Sequence, residues 1–118
     1  MNDNQTGAQM LTFSDGSTLD PAIVLYIMMR RNYAEFHLAG GKTKDARVTM
    51  AQLEARLGED FVKIHRSTLV SVRAIHDVTD TVNLNNGETL NYVASKKAWL
   101  QSEIQKRKKN LLQVLPEA

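Results

Sequence analysis

Apolar and polar residues alternate through the middle of the chain in the pattern of two short strands. Residues 61–64 alternate, residues 65–67 are polar, and an apolar run resumes at residues 69–72. Alternation is typical of a half-buried strand, and a polar break between two such runs is typical of a corner. The corner, His65-Arg66-Ser67, carries an imidazole, a guanidinium and a hydroxyl in succession. These groups can donate hydrogen bonds to phosphate oxygens or base edges, so the corner is the first candidate site.

Similar patterns predict hairpins on both sides of this corner. Two of them pair residues 9–13 with 17–20 and residues 33–38 with 42–48. After the corner, residues 69–72 and 75–78 continue as strand with a bend at 73 and 74. Asp15-Gly16 and Gly40-Gly41 supply the turns of the first two hairpins. The unbroken apolar run at 22–29 favours either a strand buried on both faces or a hinge between two sheets.

The hairpin around Asn86-Gly87 has a register that burial decides. A two-residue loop would place Leu84 opposite Thr89 and would mix apolar and polar residues on one face. A three-residue loop over residues 85–87, with Gly87 left-handed, pairs Val82 with Leu90 and keeps one face apolar. The sequence therefore predicts the three-residue loop.

Two segments show helical periodicity instead. Thr49 is a typical N-cap, apolar residues 50, 53 and 57 share one face, and Gly58 is placed to end the helix, which predicts a helix over 50–57. Ser95 is a second N-cap candidate, and no glycine or proline follows it before Pro116. The C-terminal helix, 95–115, has an apolar stripe that we expect to pack on the sheet or on a second copy of the protein. The stripe consists of Leu100, Ile104, Leu111 and Val114.

The composition is that of one ordinary globular domain, mainly antiparallel β with one short internal helix and a C-terminal helix. Of the 118 residues, 42% are hydrophobic and 24% charged, far from the composition of a disordered chain. We expect residues 1–8 to be a disordered tail and residues 9–115 to form the domain. The absence of cysteine excludes disulfides and thiolate zinc sites. No apolar run is long enough to span a bilayer, so we expect a soluble, cytoplasmic protein.

Positive charge is concentrated outside the first twenty residues. The net charge is +2, yet residues 1–20 hold three Asp and no Lys or Arg, which leaves +5 on the remaining 98 residues. Such an excess favours a polyanionic partner. Arg30 and Arg31 end an apolar strand, where basic residues either contact phosphate or simply solvate a loop. Lys96 and Lys97 lie at a helix N-terminus, where the helix dipole disfavours cations. A locally unfavourable choice indicates phosphate contact, whereas the run at 106–109 is typical of a solvated helix face.

Catalysis has little support in the sequence. The three histidines, at positions 37, 65 and 76, lack metal-ligand spacing, and no glycine-rich phosphate loop is present. The sequence therefore predicts neither an enzyme nor a cofactor, a bound metal or a small-molecule substrate.

Several stretches taken together resemble the LytTR-type DNA-binding domains of bacterial transcription regulators. The resemblance runs in order from about Leu11 to Leu100. It is carried by FVKIHRS with Leu69-Val70 and Ile75, by Ile23 to Ile27, Asn32-Tyr33 and His37-Leu38, and by Asn86-Gly87-Glu88 and Ser95-Lys96-Lys97. It implies an elongated stack of small antiparallel sheets that places loops, not a recognition helix, in successive major grooves.

The resemblance also implies which residues contact DNA. They are the residue after the histidine, Arg66; the loop after the first long strand, Arg31, Asn32 and Tyr33, with Arg30 beside it; and the late basic cluster, Lys96 and Lys97. His65 is a further candidate, although its ring also fits a structural role between strands. The chain departs from the family at Ser71, where asparagine is usual, at Met28, where an acidic or small polar residue is usual, and at Lys96 and Lys97, where arginines are usual. Because lysine lacks the two-pronged contact of arginine with guanine, a Lys96 contact fits phosphate better than a base.

These observations predict a sequence-specific regulator of transcription, related to response regulators, that binds double-stranded DNA at short direct repeats. Two molecules, as a homodimer on DNA, would then lie side by side on one face of the duplex. The alternative is a protein interaction module that binds a membrane-bound or signalling partner through the β stack or the C-terminal helix.

Overall fold

The structure, a computed structural model, describes residues 10–113, with side chains to residue 111. The predicted tail at 1–8, and the last two residues of the predicted C-terminal helix, lie outside the described residues. The chain forms two compact units, and the boundary along the sequence lies between Gly58 and Glu59. The chain is mainly antiparallel β with a short internal helix and a C-terminal helix, which confirms the predicted fold class.

The first unit holds two groups of antiparallel strands and a helix. Its elements are β1 (Leu11–Thr12), β2 (Thr18–Leu19), β3 (Val24–Met29), β4 (Ala34–Leu38), β5 (Thr43–Ala46) and α1 (Met50–Leu57). β1 pairs with β2, and β3, β4 and β5 pair in sequence order. Both predicted hairpins are therefore confirmed. The apolar run at 22–29 is a six-residue strand after a 3-10 turn at Pro21–Ile23, and consecutive residues Tyr26 and Ile27 are both buried, as the strand interpretation requires.

Helix α1 begins and ends at the predicted residues because its signals are local. The Thr49 hydroxyl accepts a hydrogen bond from the Gln52 N–H at 3.1 Å, and Gln52 Oε1 accepts one from the Thr49 N–H at 2.9 Å. This reciprocal pair is a capping box, which satisfies two donors that a helix start otherwise leaves unpaired. Leu53 and Leu57 are buried, and Gly58 ends the helix at a φ of 56°.

The second unit holds a hairpin, a three-stranded meander and the longer helix. Its elements are β6 (Phe61–His65), β7 (Thr68–Ser71), β8 (Ile75–Val78), β9 (Val82–Leu84), β10 (Thr89–Leu90) and α2 (Lys97–Gln113). β6 pairs with β7, and β9 pairs with both β8 and β10. The predicted bend at 73 and 74 is a 3-10 turn over Val72–Ala74.

The last hairpin has the three-residue loop that burial predicts. Val82 is the register partner of Leu90, and the Leu84 N–H donates to the Glu88 carbonyl at 2.8 Å across the loop. Gly87 has a φ of 94°, a backbone conformation that glycine adopts without steric cost. Val82 and Leu84 are buried on the face that this register makes apolar.

Helix α2 begins two residues later than predicted, and Ser95 is not its N-cap. A 3-10 turn at Ala94–Lys96 precedes it, and the residue that caps this turn, Val93, makes no side-chain capping bond. The Val93 N–H instead donates to the Ile64 carbonyl at 3.4 Å. The segment before the helix is therefore bonded to β6 and enters α2 through a 3-10 turn, which the Ser95 signal does not indicate.

Helix α2 packs on the sheets of its own unit. Leu100 and Ile104, the first half of the predicted stripe, are buried, while Val114 lies outside the described residues. Arg107, which interrupts the stripe, is 17% exposed and donates to the Phe61 carbonyl at 2.6 Å. Lys108 donates to the Ile75 carbonyl at 2.6 Å, so two members of the basic run at 106–109 hold the helix to strands and only part of the run is a solvated face.

Candidate nucleic-acid interface

The polar corner at 65–67 is the turn of the β6–β7 hairpin. His65 pairs with Thr68, which leaves Arg66 and Ser67 as the two turn residues. The Ser67 N–H and hydroxyl lie 3.3 and 3.1 Å from His65 Nδ1. Since a backbone N–H can only donate, this bond requires Nδ1 to be the acceptor, with the ring proton of a neutral imidazole on Nε2. His65 and Ser67 therefore fix the shape of the turn.

Arg66 lies at the tip of this turn with its side chain exposed. Among the described residues, its guanidinium has no ion pair or hydrogen bond. A nearby carboxylate in the sequence, Asp60, forms no ion pair with Arg66 within the part of the chain that the structure describes. A rigid turn that presents an unpaired guanidinium can make a two-pronged contact with guanine or phosphate.

Lys96 and Lys97 lie on the segment next to this hairpin within the second unit. Both are exposed, and neither has an ion pair among residues 10–113. A 3.4 Å hydrogen bond from the Val93 N–H to the Ile64 carbonyl joins the two segments. Lys96 follows Val93 by three residues, and Arg66 follows Ile64 by two. The second unit therefore carries Arg66 and the two lysines on segments that a backbone hydrogen bond joins.

In the first unit, residues 30–33 form the turn of the β3–β4 hairpin. The Arg30 N–H donates to the Tyr33 carbonyl at 2.8 Å, which makes Arg31 and Asn32 the central residues of a tight turn. Both are exposed, and Tyr33 is 37% exposed. The loop after the first long strand is thus a short turn with a guanidinium and an amide at its tip.

Arg30 differs from Arg31 because a carboxylate holds it. Arg30 Nη2 lies 2.8 Å from Glu35 Oε1, and His37 Nε2 lies 2.9 Å from the same oxygen. The hydrogen bond from Arg30, followed by that of His37, lowers the pKa of Glu35, and the Glu35 bond raises the pKa of Arg30. The His37 ring stacks on Tyr26 at a centroid distance of 4.2 Å.

Sequence reasoning missed Glu35 and Trp99. Glu35 and His37 are two residues apart and share one face of β4, a signal that could have paired them, but the approach of Arg30 depends on the turn. Trp99, two residues beyond Lys97, is 50% exposed, and Val93 on the preceding segment is 39% exposed. The late basic cluster therefore has exposed apolar neighbours.

The described residues contain no group of three or more His, Cys, Asp or Glu side chains that could hold a metal ion. No helix within residues 10–113 is long and apolar enough to cross a membrane.

The chain is a mainly β domain of small antiparallel sheets, with exposed cations on hairpin turns and beside a helix start, which suits a polyanionic partner. The model of the LytTr DNA-binding domain family matches residues 16–105, and the chain belongs to this family. It is a DNA-binding domain.

A solved structure supports the same fold. The chain is similar to the LytTr DNA-binding domain of a Bacillus cereus protein described as a methyl-accepting/DNA response regulator. The TM-score is 0.66 at 18% identity, over 85% of this chain and 98% of the other. No curated protein matches the chain significantly.

Proposed function

We propose that residues 9–115 act as one sequence-specific domain that binds double-stranded DNA and regulates transcription in the cytoplasm. Its hairpin turns enter the major groove at short direct repeats. The observation that carries the proposal is Arg66, exposed and unpaired among the described residues at the tip of a turn that His65 and Ser67 hold in shape. Because the backbone of the turn that carries Arg66 is already ordered in the free protein, less conformational freedom is lost when the guanidinium binds.

The candidate residues divide into base readers and phosphate contacts. Arg66 reads a base through its two-pronged guanidinium, and Asn32 has the amide that can read adenine. Arg31, Lys96 and Lys97 neutralise phosphates and fix the position of the protein on the duplex. Arg30 positions the turn of the β3–β4 hairpin, and His65 positions the turn of the β6–β7 hairpin. Tyr33 contacts the DNA backbone beside Arg31.

Direct repeats imply that two molecules bind side by side on one face of the duplex. The homodimer then forms on DNA, with each molecule contributing one set of turns. A signalling protein, membrane-bound or not, is a further partner that could control this binding.

The test is selection of bound duplexes from a random DNA pool at physiological salt. The native protein is compared with Arg66→Ala and with a matched control, Arg73→Ala, which removes an exposed arginine of the same unit outside the candidate set. We expect the native protein and the control to enrich one repeated short motif. Arg66→Ala should bind that motif about 1 to 3 kcal/mol more weakly and lose preference at one base position.

Two results would count against the proposal. Equal weakening of Arg66→Ala on all sequences would assign Arg66 to phosphate and remove its base-reading role. If the native protein enriches no motif, sequence-specific recognition, the finer part of the proposal, is wrong.

A further inference from the structure

The turn that carries Arg66 is closed by an imidazole. The Ser67 N–H donates to His65 Nδ1 at 3.3 Å, and the Ser67 hydroxyl lies 3.1 Å from the same nitrogen. A side chain that accepts from the N–H two residues further on closes a turn, which is the usual role of Asn and Asp. In the β6–β7 hairpin this role falls to a side chain of a type that takes up a proton between about pH 5 and 8.

The chain closes three other turns in the same way, with an oxygen as the acceptor. The pairs, each with a bond of 2.8 or 2.9 Å to the N–H two residues after the acceptor, are Asp15 with Ser17, Asp20 with Ala22, and Asn86 with Glu88. An amide oxygen remains an acceptor, and a carboxylate is an acceptor only while it is ionised, which holds above about pH 5. Among these four turns, the one at 65–67 is therefore the one whose acceptor is lost near neutral pH.

Protonation of His65 removes the acceptor of the turn. In the neutral ring Nδ1 has a lone pair and accepts, whereas in the charged ring both nitrogens carry a proton and donate. The Ser67 hydroxyl can rotate and accept from a protonated Nδ1, but the Ser67 N–H can only donate and loses its partner. Ser67 is half-buried, so an unpaired N–H at this position costs free energy and favours another backbone arrangement. The residue next to it is Arg66.

The charged residues at the tip of the hairpin, and on the segment bonded to it, are cations. They are Lys63, Arg66, Lys96 and Lys97. The acidic residues lie at the opposite end of β6, where Glu59 and Asp60 precede Phe61 and where Arg107 bonds both Glu103 and the Phe61 carbonyl. No carboxylate forms an ion pair with His65 within residues 10–113. The proton on Nδ1 is therefore exchanged with solvent and not with a neighbouring acid.

We propose that the turn at 65–67 is a pH-sensitive switch that orders Arg66 for base reading while His65 is neutral and releases it when His65 is protonated. The proposal rests on the proposed DNA-binding function, because it concerns the residue that reads the base. The ordered turn binds one proton fewer than the loosened turn, so a fall in pH favours the loosened turn. Acidification weakens recognition of the motif, whereas the attraction to phosphates, which depends on positive charge, does not fall.

The first test follows the turn without DNA. Nitrogen NMR spectra distinguish an imidazole nitrogen that accepts from one that carries a proton, and the backbone amides of Arg66 and Ser67 report on the turn. From about pH 8 to about pH 5 we expect His65 to change from the neutral ring with its proton on Nε2 to the charged ring. The two amides should shift with the same midpoint, and hydrogen exchange of the Ser67 N–H should become less protected below it.

The second test compares two variants. His65→Asn removes the titration and keeps an acceptor, because the amide oxygen is two bonds from Cβ, as Nδ1 is, and can close the turn as Asn86 does. His76→Asn is the matched control, since it removes an exposed imidazole of the same unit outside the turn. Thermal unfolding shows whether each variant keeps its fold, and the spectra of the native protein test the switch even where His65→Asn fails to fold.

DNA affinity is measured by fluorescence anisotropy at about pH 7.5 and about pH 5.5, on either side of the usual imidazole titration. One labelled duplex carries the motif enriched in the selection, and the other has the same composition in scrambled order. We expect the preference for the motif to fall about threefold or more at the lower pH in the native protein and in His76→Asn, as the loss of one hydrogen bond predicts. The preference of His65→Asn should not change with pH.

Three results would overturn the proposal. Amides of Arg66 and Ser67 that do not follow the titration of His65 would show that the turn does not depend on the Nδ1 bond. The same pH dependence in His65→Asn as in the native protein would assign it to another group. Binding that tightens equally on both duplexes at the lower pH would make His65 a phosphate contact. Failure of the proposed function gives a different result, because no motif is then enriched, while the amide titration still shows whether the turn responds to pH.

Discussion

Glu35 makes two neighbouring arginines unequal. It holds the Arg30 guanidinium at 2.8 Å, whereas Arg31, one residue further along the turn, has no ion pair within the described residues. The side chain of Arg31 therefore remains available to a phosphate, and that of Arg30 stabilises the turn that presents it. The same carboxylate bonds His37, so one residue links the turn to the middle of β4.

The pH dependence of stability should reveal this role of Glu35. The pKa of Glu35 is lowered from its ordinary 4.5 by the bonds from Arg30 and His37. A carboxyl group whose pKa is lower in the folded state contributes stability that is fully present above the unfolded pKa and is lost as pH falls through the folded pKa. We expect the free energy of unfolding of the native protein to be higher than that of Glu35→Gln by up to about 1 kcal/mol near neutral pH.

Thermal unfolding of both proteins over a pH series from 7 down to 3 measures this effect. The difference between the two should hold down to about pH 5 and then shrink as Glu35 becomes protonated. Parallel stability curves at every pH would show that the Glu35 charge does not stabilise the fold.

At the scale of residues, the sequence indicated which side chains are exposed on turns but not which of them form an ion pair. Arg30, Arg31 and Arg66 look equivalent in a linear pattern, because each follows or precedes a strand. Whether each is paired depends on hairpin geometry, which brings Glu35 to Arg30 and, within the described residues, brings no carboxylate to Arg66.

At the scale of elements, Arg107 connects the longer helix to the hairpin that carries Arg66. Its Nη1 donates to the carbonyl of Phe61, the first residue of β6, at 2.6 Å, and its Nε donates to Glu103 at 2.8 Å. Glu59 lies 3.9 Å from the same nitrogen. An arginine that is 17% exposed and makes these bonds is half-buried and fixed against the strands of its unit.

Replacing Arg107 with alanine should therefore destabilise the protein by about 1 to 3 kcal/mol. The change leaves a carbonyl and a carboxylate without their charged donor, which costs their desolvation. Urea unfolding measures the loss. The matched control is Lys106→Ala, an exposed cation one residue away, which should change stability by less than about 0.5 kcal/mol. Equal losses in both variants would mean that the Arg107 bonds do not hold the helix.

The two helices show why one boundary was predictable and the other was not. The start of α1 depends on Thr49 and Gln52, three residues apart, so the sequence contains every partner. The 3-10 turn before α2 has no side-chain capping bond, and the residue before that turn, Val93, is bonded to Ile64, 29 positions away, so no local signal marks the start of α2. The register of the last hairpin was predictable because alternation over a few residues decides which face is buried.

At the scale of the whole molecule, the candidate phosphate contacts lie on both units. The candidate set contains four exposed cations without ion pairs within residues 10–113, namely Arg31, Arg66, Lys96 and Lys97. Each phosphate that a cation neutralises releases counterions, so the logarithm of the binding constant falls with the logarithm of salt concentration with a slope of about −0.9 per contact. Three phosphate contacts, with Arg66 on a base, give a slope of roughly −3 for each molecule bound.

Fluorescence anisotropy of a labelled duplex over a salt series measures this slope. Lys96→Ala should reduce its magnitude by about 1 and weaken binding similarly on all sequences, because the lost contact is to phosphate. Lys106→Ala, which removes a cation outside the candidate set, should leave the slope unchanged. A slope near zero for the native protein would favour the interaction module, since burial of apolar surface depends little on moderate salt. A slope near −3 that Lys96→Ala reduces and Lys106→Ala does not would assign Lys96 to the DNA backbone.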